Sequence, residues 1–189
     1  MKTPFIYTYA VILVIKSLTD LRKVRNMSSD VPSVEKNERA FQTPKQVSQK
    51  VIKKTGTKVQ VKGLEKLPDG PVLLVSNHQG LFDILVLLGY TNKPLGFIAK
   101  KEIKKLPIIR IWMELINCVF IDRSNRREAV KVINQGIENL KNGQSMVIFP
   151  EGTRSLGSQV NEFKPGSLRL GTKANVPIVP VAIDGTYKI

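Results

Sequence analysis

Two short runs in this chain, Pro-Val-Leu-Leu-Val at 71–75 and Ser-Met-Val-Ile-Phe at 145–149, are apolar at almost every position, and each is followed at once by polar residues. A strand apolar on both faces must be covered on both faces, which favours a parallel sheet between two helical layers. The rest of the second half alternates accordingly. Residues 96–99, 118–122 and 176–183 read as further strands, and 81–90, 103–116 (interrupted at Pro107) and 167–174 as helices. Alternation of apolar and polar residues at 58–62 predicts a half-exposed strand. One helix is marked at both ends: Asn125 with Glu128 forms a capping pattern, Val130, Ile133, Ile137 and Leu140 make an apolar face, and Asn142-Gly143 stops it. These elements predict an α/β domain at residues 56–189, with a mixed, largely parallel sheet flanked by helices. Residues 1–55 precede it as an N-terminal helical, membrane-associating segment.

The charge is uneven. The 189 residues carry a formal net charge of +15, and the first 60 hold 12 basic residues against 4 acidic ones. An anionic partner is implied: lipid headgroups, nucleic acid, or an acidic protein or substrate. Aromatic residues make up only 6% and no nucleic-acid module is recognisable, which argues against base stacking. The same N-terminus carries an eleven-residue apolar run at 5–15, followed by Arg22, Lys23 and Arg25. Eleven residues fall short of the roughly 20 a bilayer span needs. A re-entrant or interfacial anchor against anionic headgroups fits the run, as does a buried core helix. Residues 43–54 place Val47, Val51 and Ile52 on one side among Lys45, Lys50, Lys53 and Lys54. That pattern suits either a membrane surface or packing on the domain. The expected location is membrane-associated, at the cytoplasmic face.

His78 is the only histidine, so any imidazole chemistry must occur in Asn77-His78-Gln79-Gly80-Leu81-Phe82-Asp83. An extended chain would hold His78 and Asp83 roughly 16 Å apart. A turn at Gly80 and a helix beginning near Leu81 would bring the carboxylate back to the ring. A carboxylate on one ring nitrogen fixes the tautomer and leaves the other free to take a proton. The segment reads either as a general base with its orienting acid or as a capped helix start bearing a surface histidine.

After the second apolar run stands Pro150-Glu151-Gly152-Thr153-Arg154-Ser155. Gly152 permits close backbone approach, Thr153 offers a hydroxyl, and Arg154 offers a bidentate fork for phosphate, with Glu151 placed to orient it. A strand-to-helix turn with a solvated ion pair is the other reading. Residues 166–173 resemble a phosphate loop with the final residues in the wrong order and read as helix. There is no G-x-S-x-G nucleophile elbow. The single cysteine, Cys118, lies among apolar residues and reads as a buried structural thiol. One histidine among scattered carboxylates offers no metal-ligand spacing.

Residues 77–83, Phe-Pro-Glu-Gly-Thr-Arg-Ser at 149–155, Val-Pro-Ile-Val-Pro-Val at 176–181, and the stretch from Phe97-Ile-Ala-Lys-Lys-Glu102 to Phe120-Ile-Asp-Arg123 together resemble four motif blocks of the glycerolipid acyltransferases. The resemblance is especially to those that acylate 1-acylglycerol 3-phosphate, over about residues 60–187. The resemblance implies an enzyme that needs no cofactor and takes acyl-CoA or acyl carrier protein as acyl donor. It would move the acyl group to the sn-2 hydroxyl of lysophosphatidic acid, forming phosphatidic acid. His78 would be the base and Asp83 its orienter, with direct transfer and no covalent enzyme intermediate. Glu151, Gly152, Thr153 and Arg154 would hold the glycerol phosphate, with Lys100 or Lys101 as a second cation, and 176–181 would shape the core and acyl pocket. Gly80 stands where many members have serine, and Arg110 and Asn117 where glycines are frequent. The chain stops soon after 184–187, where relatives continue, as a truncated or short member would. Glycerol 3-phosphate or another lysophospholipid is the alternative acceptor. A non-catalytic anionic-lipid-binding protein and a hydrolase are the alternatives of other classes.

Overall fold

The computed structural model describes residues 3–122 and 126–189. Three helices come first: α1 (Thr3–Lys16), α2 (Leu18–Arg25) and α3 (Ser33–Thr55). Five strands follow, β1 (Leu73–Ser76), β2 (Leu95–Lys100), β3 (Val119–Ile121), β4 (Ser145–Ile148) and β5 (Ile178–Val181). They are joined by α4 (Phe82–Tyr90) between β1 and β2, α5 (Pro107–Leu115) between β2 and β3, α6 (Arg126–Lys141) between β3 and β4, and α7 (Arg169–Ala174) between β4 and β5.

The strands pair in the order β3-β2-β4-β1-β5, and every pairing is parallel. Successive side chains of β1 therefore serve opposite layers. Leu74 joins Phe41, Leu87 and Phe97 on the α3–α4 side, whereas Leu73 joins Leu140, Met146 and Leu170 under α6 and α7. Burying each such side chain contributes about 1.5–3 kcal/mol. Chain direction decides which layer a helix enters. The connections from β1 to β2 and from β2 to β3 run one way along the sheet, and those into β4 and β5 run the other. Right-handed crossovers then require opposite faces. The chain leaves adjacent β1 and β4 toward different faces, opening a crevice at their carboxyl ends, where ligands of open α/β sheets bind.

Several expectations are corrected. Residues 57–62 form no strand: Val59 packs against the cluster of Val51, Ile52 and Phe82 rather than pairing, and Val61 is exposed. The strand expected over 176–183 contracts to β5, an edge strand that pairs with β1 alone and carries Pro180 opposite Val75, as an edge strand can. In α6, Ile133, Ile137 and Leu140 pack inward as expected, but Val130 is exposed. Asn125, Arg123 and the Glu128 side chain lie outside the described residues.

The basic amphipathic stretch is part of the longer α3, which buries Val51 and Ile52 against α4 and α1, so packing on the domain is its role in the fold. The N-terminal run is not a core helix. Ile6, Ala10 and Leu13 pack on that same cluster while Phe5, Val11, Ile12 and Ile15 stay exposed. Nor is it limited to eleven residues: Pro4–Arg25 is by length and composition long and apolar enough to cross a membrane, with mean hydropathy 1.3. Helices α1 and α2 meet at Ser17, whose hydroxyl accepts the indole N–H of Trp112 on α5 at 2.8 Å.

Candidate active site

His78 leaves the end of β1, and Asp83 sits in the first turn of α4. The turn between them is fastened by the carboxylate itself. Asp83 Oδ2 accepts the Gly80 N–H at 2.8 Å and lies 2.7 Å from His78 Nδ1. Gly80 has no left-handed backbone, so the sharp glycine turn expected from the sequence is not what closes the loop. A Cβ there would meet the Thr186 carbonyl oxygen at 3.5 Å, an ordinary contact that a serine could make. Asp83 is fully buried, and the imidazole lies flat on Phe149, with ring centroids 4.0 Å apart and planes inclined by 17°. A proton on Nδ1, directed at the carboxylate, leaves the lone pair on Nε2, and His78 lines a cleft at this end of the sheet.

The loop after β4 is tied to this one. Glu151, 2% exposed, accepts the His78 N–H at 2.6 Å with Oε1 and the Asn161 N–H at 2.8 Å with Oε2. The expectation that Glu151 orients Arg154 is corrected: both carboxylate oxygens are engaged by backbone amides. Two more bonds cross between the loops, Ser155 N–H to the His78 carbonyl at 2.8 Å and Leu156 N–H to the Gln79 carbonyl at 3.1 Å.

His78, Gly152, Thr153, Arg154 and Lys100 all line one cleft of about 1580 Å³. Its far wall is apolar and is built from α1, α3 and α5, including Val14, Val51 and Trp112. Its cationic residues are Lys100, Arg154, Lys164, Arg169 and Lys173, and no carboxylate is among the described residues that line it. Such a cleft, with cations and no carboxylate among its described polar lining and an apolar wall besides, suits a ligand with an anionic head and a hydrocarbon tail. Lys101 does not line the cleft and instead pairs with Asp122. Residues 176–181 do not line it either; Val179 and Val181 pack in the core beneath α4.

Gly152 has φ +69, and a Cβ placed on it would lie 2.9 Å from Lys164 Cε and Nζ. The bare backbone thus lets the Lys164 side chain pass over the loop into the cleft. Cys118 accepts the Phe97 N–H at 3.3 Å, and burial pushes its thiol up to about 12, so it is protonated at neutral pH and no nucleophile.

The model of the Acyltransferase family matches residues 58–184. The chain belongs to that family. Among acyltransferases it is 41% identical over 136 residues to the Mycoplasma pneumoniae protein named "Probable 1-acyl-sn-glycerol-3-phosphate acyltransferase", covering 69% of this chain and 51% of that one. To the 1-acyl-sn-glycerol-3-phosphate acyltransferase of Saccharomyces cerevisiae it is 38% identical, covering 69% and 44%. The crystal structure of the 1-acyl-sn-glycerophosphate acyltransferase PlsC from Thermotoga maritima superposes with a TM-score of 0.82 at 30% identity, over 98% of this chain and 74% of that one. The chain spans about half the length of the curated relatives it matches.

Motif reading singled out both polar loops, which the fold ties together. It missed Lys164, which stands ten residues after Arg154, and the partners that fix the loops, Asn77, Gln79 and Thr186. Asn77 bonds the Ile183 backbone through both ends of its amide, at 2.8 and 2.7 Å. Asn117 adopts φ +58, a left-handed conformation that explains why glycine suits that position and why asparagine tolerates it.

Proposed function

We propose that this chain transfers a fatty acyl group from an acyl thioester to the sn-2 hydroxyl of lysophosphatidic acid, forming phosphatidic acid. What supports this reading is that His78, with Asp83 at its Nδ1, shares one cleft with Lys100, Arg154, Lys164 and a wall of apolar residues. The acceptor's phosphate rests among Arg154, Lys164 and Lys100, and its hydroxyl meets Nε2. His78 takes the hydroxyl proton as the oxygen forms its bond to the thioester carbonyl carbon. The tetrahedral adduct then breaks at the carbon–sulfur bond, and the imidazolium returns the proton to the departing thiolate. No enzyme nucleophile is required, in keeping with the protonated Cys118. Holding phosphate and hydroxyl at once supplies orientation, the cheaper part of which is already present in the bonded loops.

Donor and location belong to the same proposal: acyl-CoA or acyl carrier protein delivers the thioester, and α1–α2 rests on an anionic membrane at the cytoplasmic face through Arg22, Lys23 and Arg25. The likeness to proteins named for 1-acylglycerol 3-phosphate supports the choice of acceptor. The test is incubation of detergent-solubilised protein with lysophosphatidic acid and each donor, reading phosphatidic acid by mass spectrometry beside His78→Ala. Product that disappears in His78→Ala supports the reading. Product only from glycerol 3-phosphate or another lysophospholipid moves the acceptor, and free fatty acid in place of acylated lipid overturns the transfer.

A further inference from the structure

We infer that Thr186 is a positioning residue for His78, acting through the one oxygen of Asp83 that the histidine does not use; this rests on the proposed role of His78. Asp83 is fully buried, and its Oδ2 is already shared between the Gly80 N–H and His78 Nδ1. Its Oδ1 accepts the Thr186 hydroxyl. The Thr186 side chain is itself 6% exposed, and the Gln79 amide lies 3.3 Å from the same hydroxyl. A carboxylate only accepts, and a threonine hydroxyl has one proton to give, so that proton goes to Asp83. Gln79 Oε1 is the atom facing that hydroxyl, and with the proton given to Asp83 the amide is satisfied once flipped, its NH2 donating to the hydroxyl oxygen.

A carboxylate held by one oxygen can turn about its Cβ–Cγ bond. Held at both, it has one plane, and that plane aims Oδ2 at Nδ1. Thr186 belongs to no motif, yet it is placed as firmly as one. Asn77, the residue before the histidine, pins Ile183 through two bonds, and the short turn Thr186–Lys188 then lays the hydroxyl under α4. The loop that carries the base thereby also carries the anchor of the residue that aims it. A buried carboxylate with one oxygen unpaired is costly, so removing the hydroxyl leaves Asp83 either turned toward another donor or hydrated.

The test compares Thr186→Val, which keeps the shape without the hydroxyl, Thr186→Ser, which keeps the hydroxyl without the methyl, and Thr186→Ala, which keeps neither. The chain's single histidine lets ring-15N labelling report His78 alone, in the resting protein and without substrate. Wild type and Thr186→Ser are expected to show the Nδ1–H tautomer, and Thr186→Val and Thr186→Ala a mixture. In acyl transfer, Thr186→Val is expected to lose about tenfold or more in kcat with little change in KM for the acceptor, and Thr186→Ser to recover most of it. A single Nδ1–H tautomer in Thr186→Val or Thr186→Ala overturns the inference, as does equal loss of kcat in Thr186→Ser and Thr186→Ala. If Thr186→Val does not fold, the Ser and Ala pair decides. The nitrogen spectrum stands whether or not lysophosphatidic acid is the acceptor, so failure of the proposed reaction and failure of this inference give different results.

Discussion

Glu151 accepts the backbone N–H of His78 at 2.6 Å, joining two loops that are 73 residues apart in sequence. The bond is charge-assisted and buried, and its second oxygen is taken by Asn161. Glu151→Gln keeps the size but must turn an NH2 group toward one of two amide donors. It is expected to cost about 1–3 kcal/mol in urea denaturation and to lower turnover by misplacing the histidine. Unchanged stability and unchanged kcat together would count against the clamp.

Asp83→Asn tests the tautomer more directly. An amide can present its oxygen to Nδ1–H only by turning its NH2 toward the Thr186 hydroxyl, and the competing orientation flips the ring's proton to Nε2. Turnover is expected to fall by roughly 10³-fold or more, as seen when a buried carboxylate that orients a catalytic histidine is amidated. A loss confined to KM would place Asp83 in binding instead.

Gly152→Ala puts a methyl group where the Lys164 side chain passes and forces φ +69 on a residue with a Cβ. The expected result is about 1–2 kcal/mol of lost stability and a raised KM for the phosphorylated acceptor, measured by thermal melts and steady-state kinetics. Lys164→Ala should raise KM without the stability loss.

Removal of residues 1–25 takes away the exposed apolar face of α1 together with Arg22, Lys23 and Arg25. Flotation with vesicles containing anionic lipid is expected to drop sharply. A shortened protein that still floats would show that other surfaces hold the bilayer.

Cys118 supplies a pH dependence whose sign is fixed. Burial raises its folded value to about 12 from an ordinary 9.0, so only the unfolded thiol ionises between those values. Its contribution to stability is therefore complete below pH 9 and declines as pH rises toward 12. Cys118→Ala should flatten that part of a stability–pH curve.

The parallel sheet and the His78–Asp83 pair were legible because both are written locally. β1 and β4 are continuous apolar runs, and five residues through a helix start fix the dyad. The false strand at 58–62 shows the limit of periodicity: alternation puts Val59 and Val61 on one face, yet only Val59 packs inward, against helices, while Val61 is exposed. Glu151 was singled out and given the wrong partner, because Arg154 is near in sequence whereas the His78 amide arrives from another strand. Thr186, 103 residues from Asp83, carried no local signal at all. Its place follows from the β5 register and the Asn77 bonds, which exist only once the sheet has assembled.

Helix α1 contributes Val11, Val14 and Ile15 to the wall of the cleft that reaches His78. A hydrocarbon tail lying along it has apolar neighbours all the way to the imidazole. Lifting α1 away would let water in beside the same nitrogen, where it could compete with the acceptor hydroxyl for the thioester carbonyl. In the proposed reaction, the partition between acyl transfer and wasteful hydrolysis would then depend on a helix that lines the cleft without carrying the base.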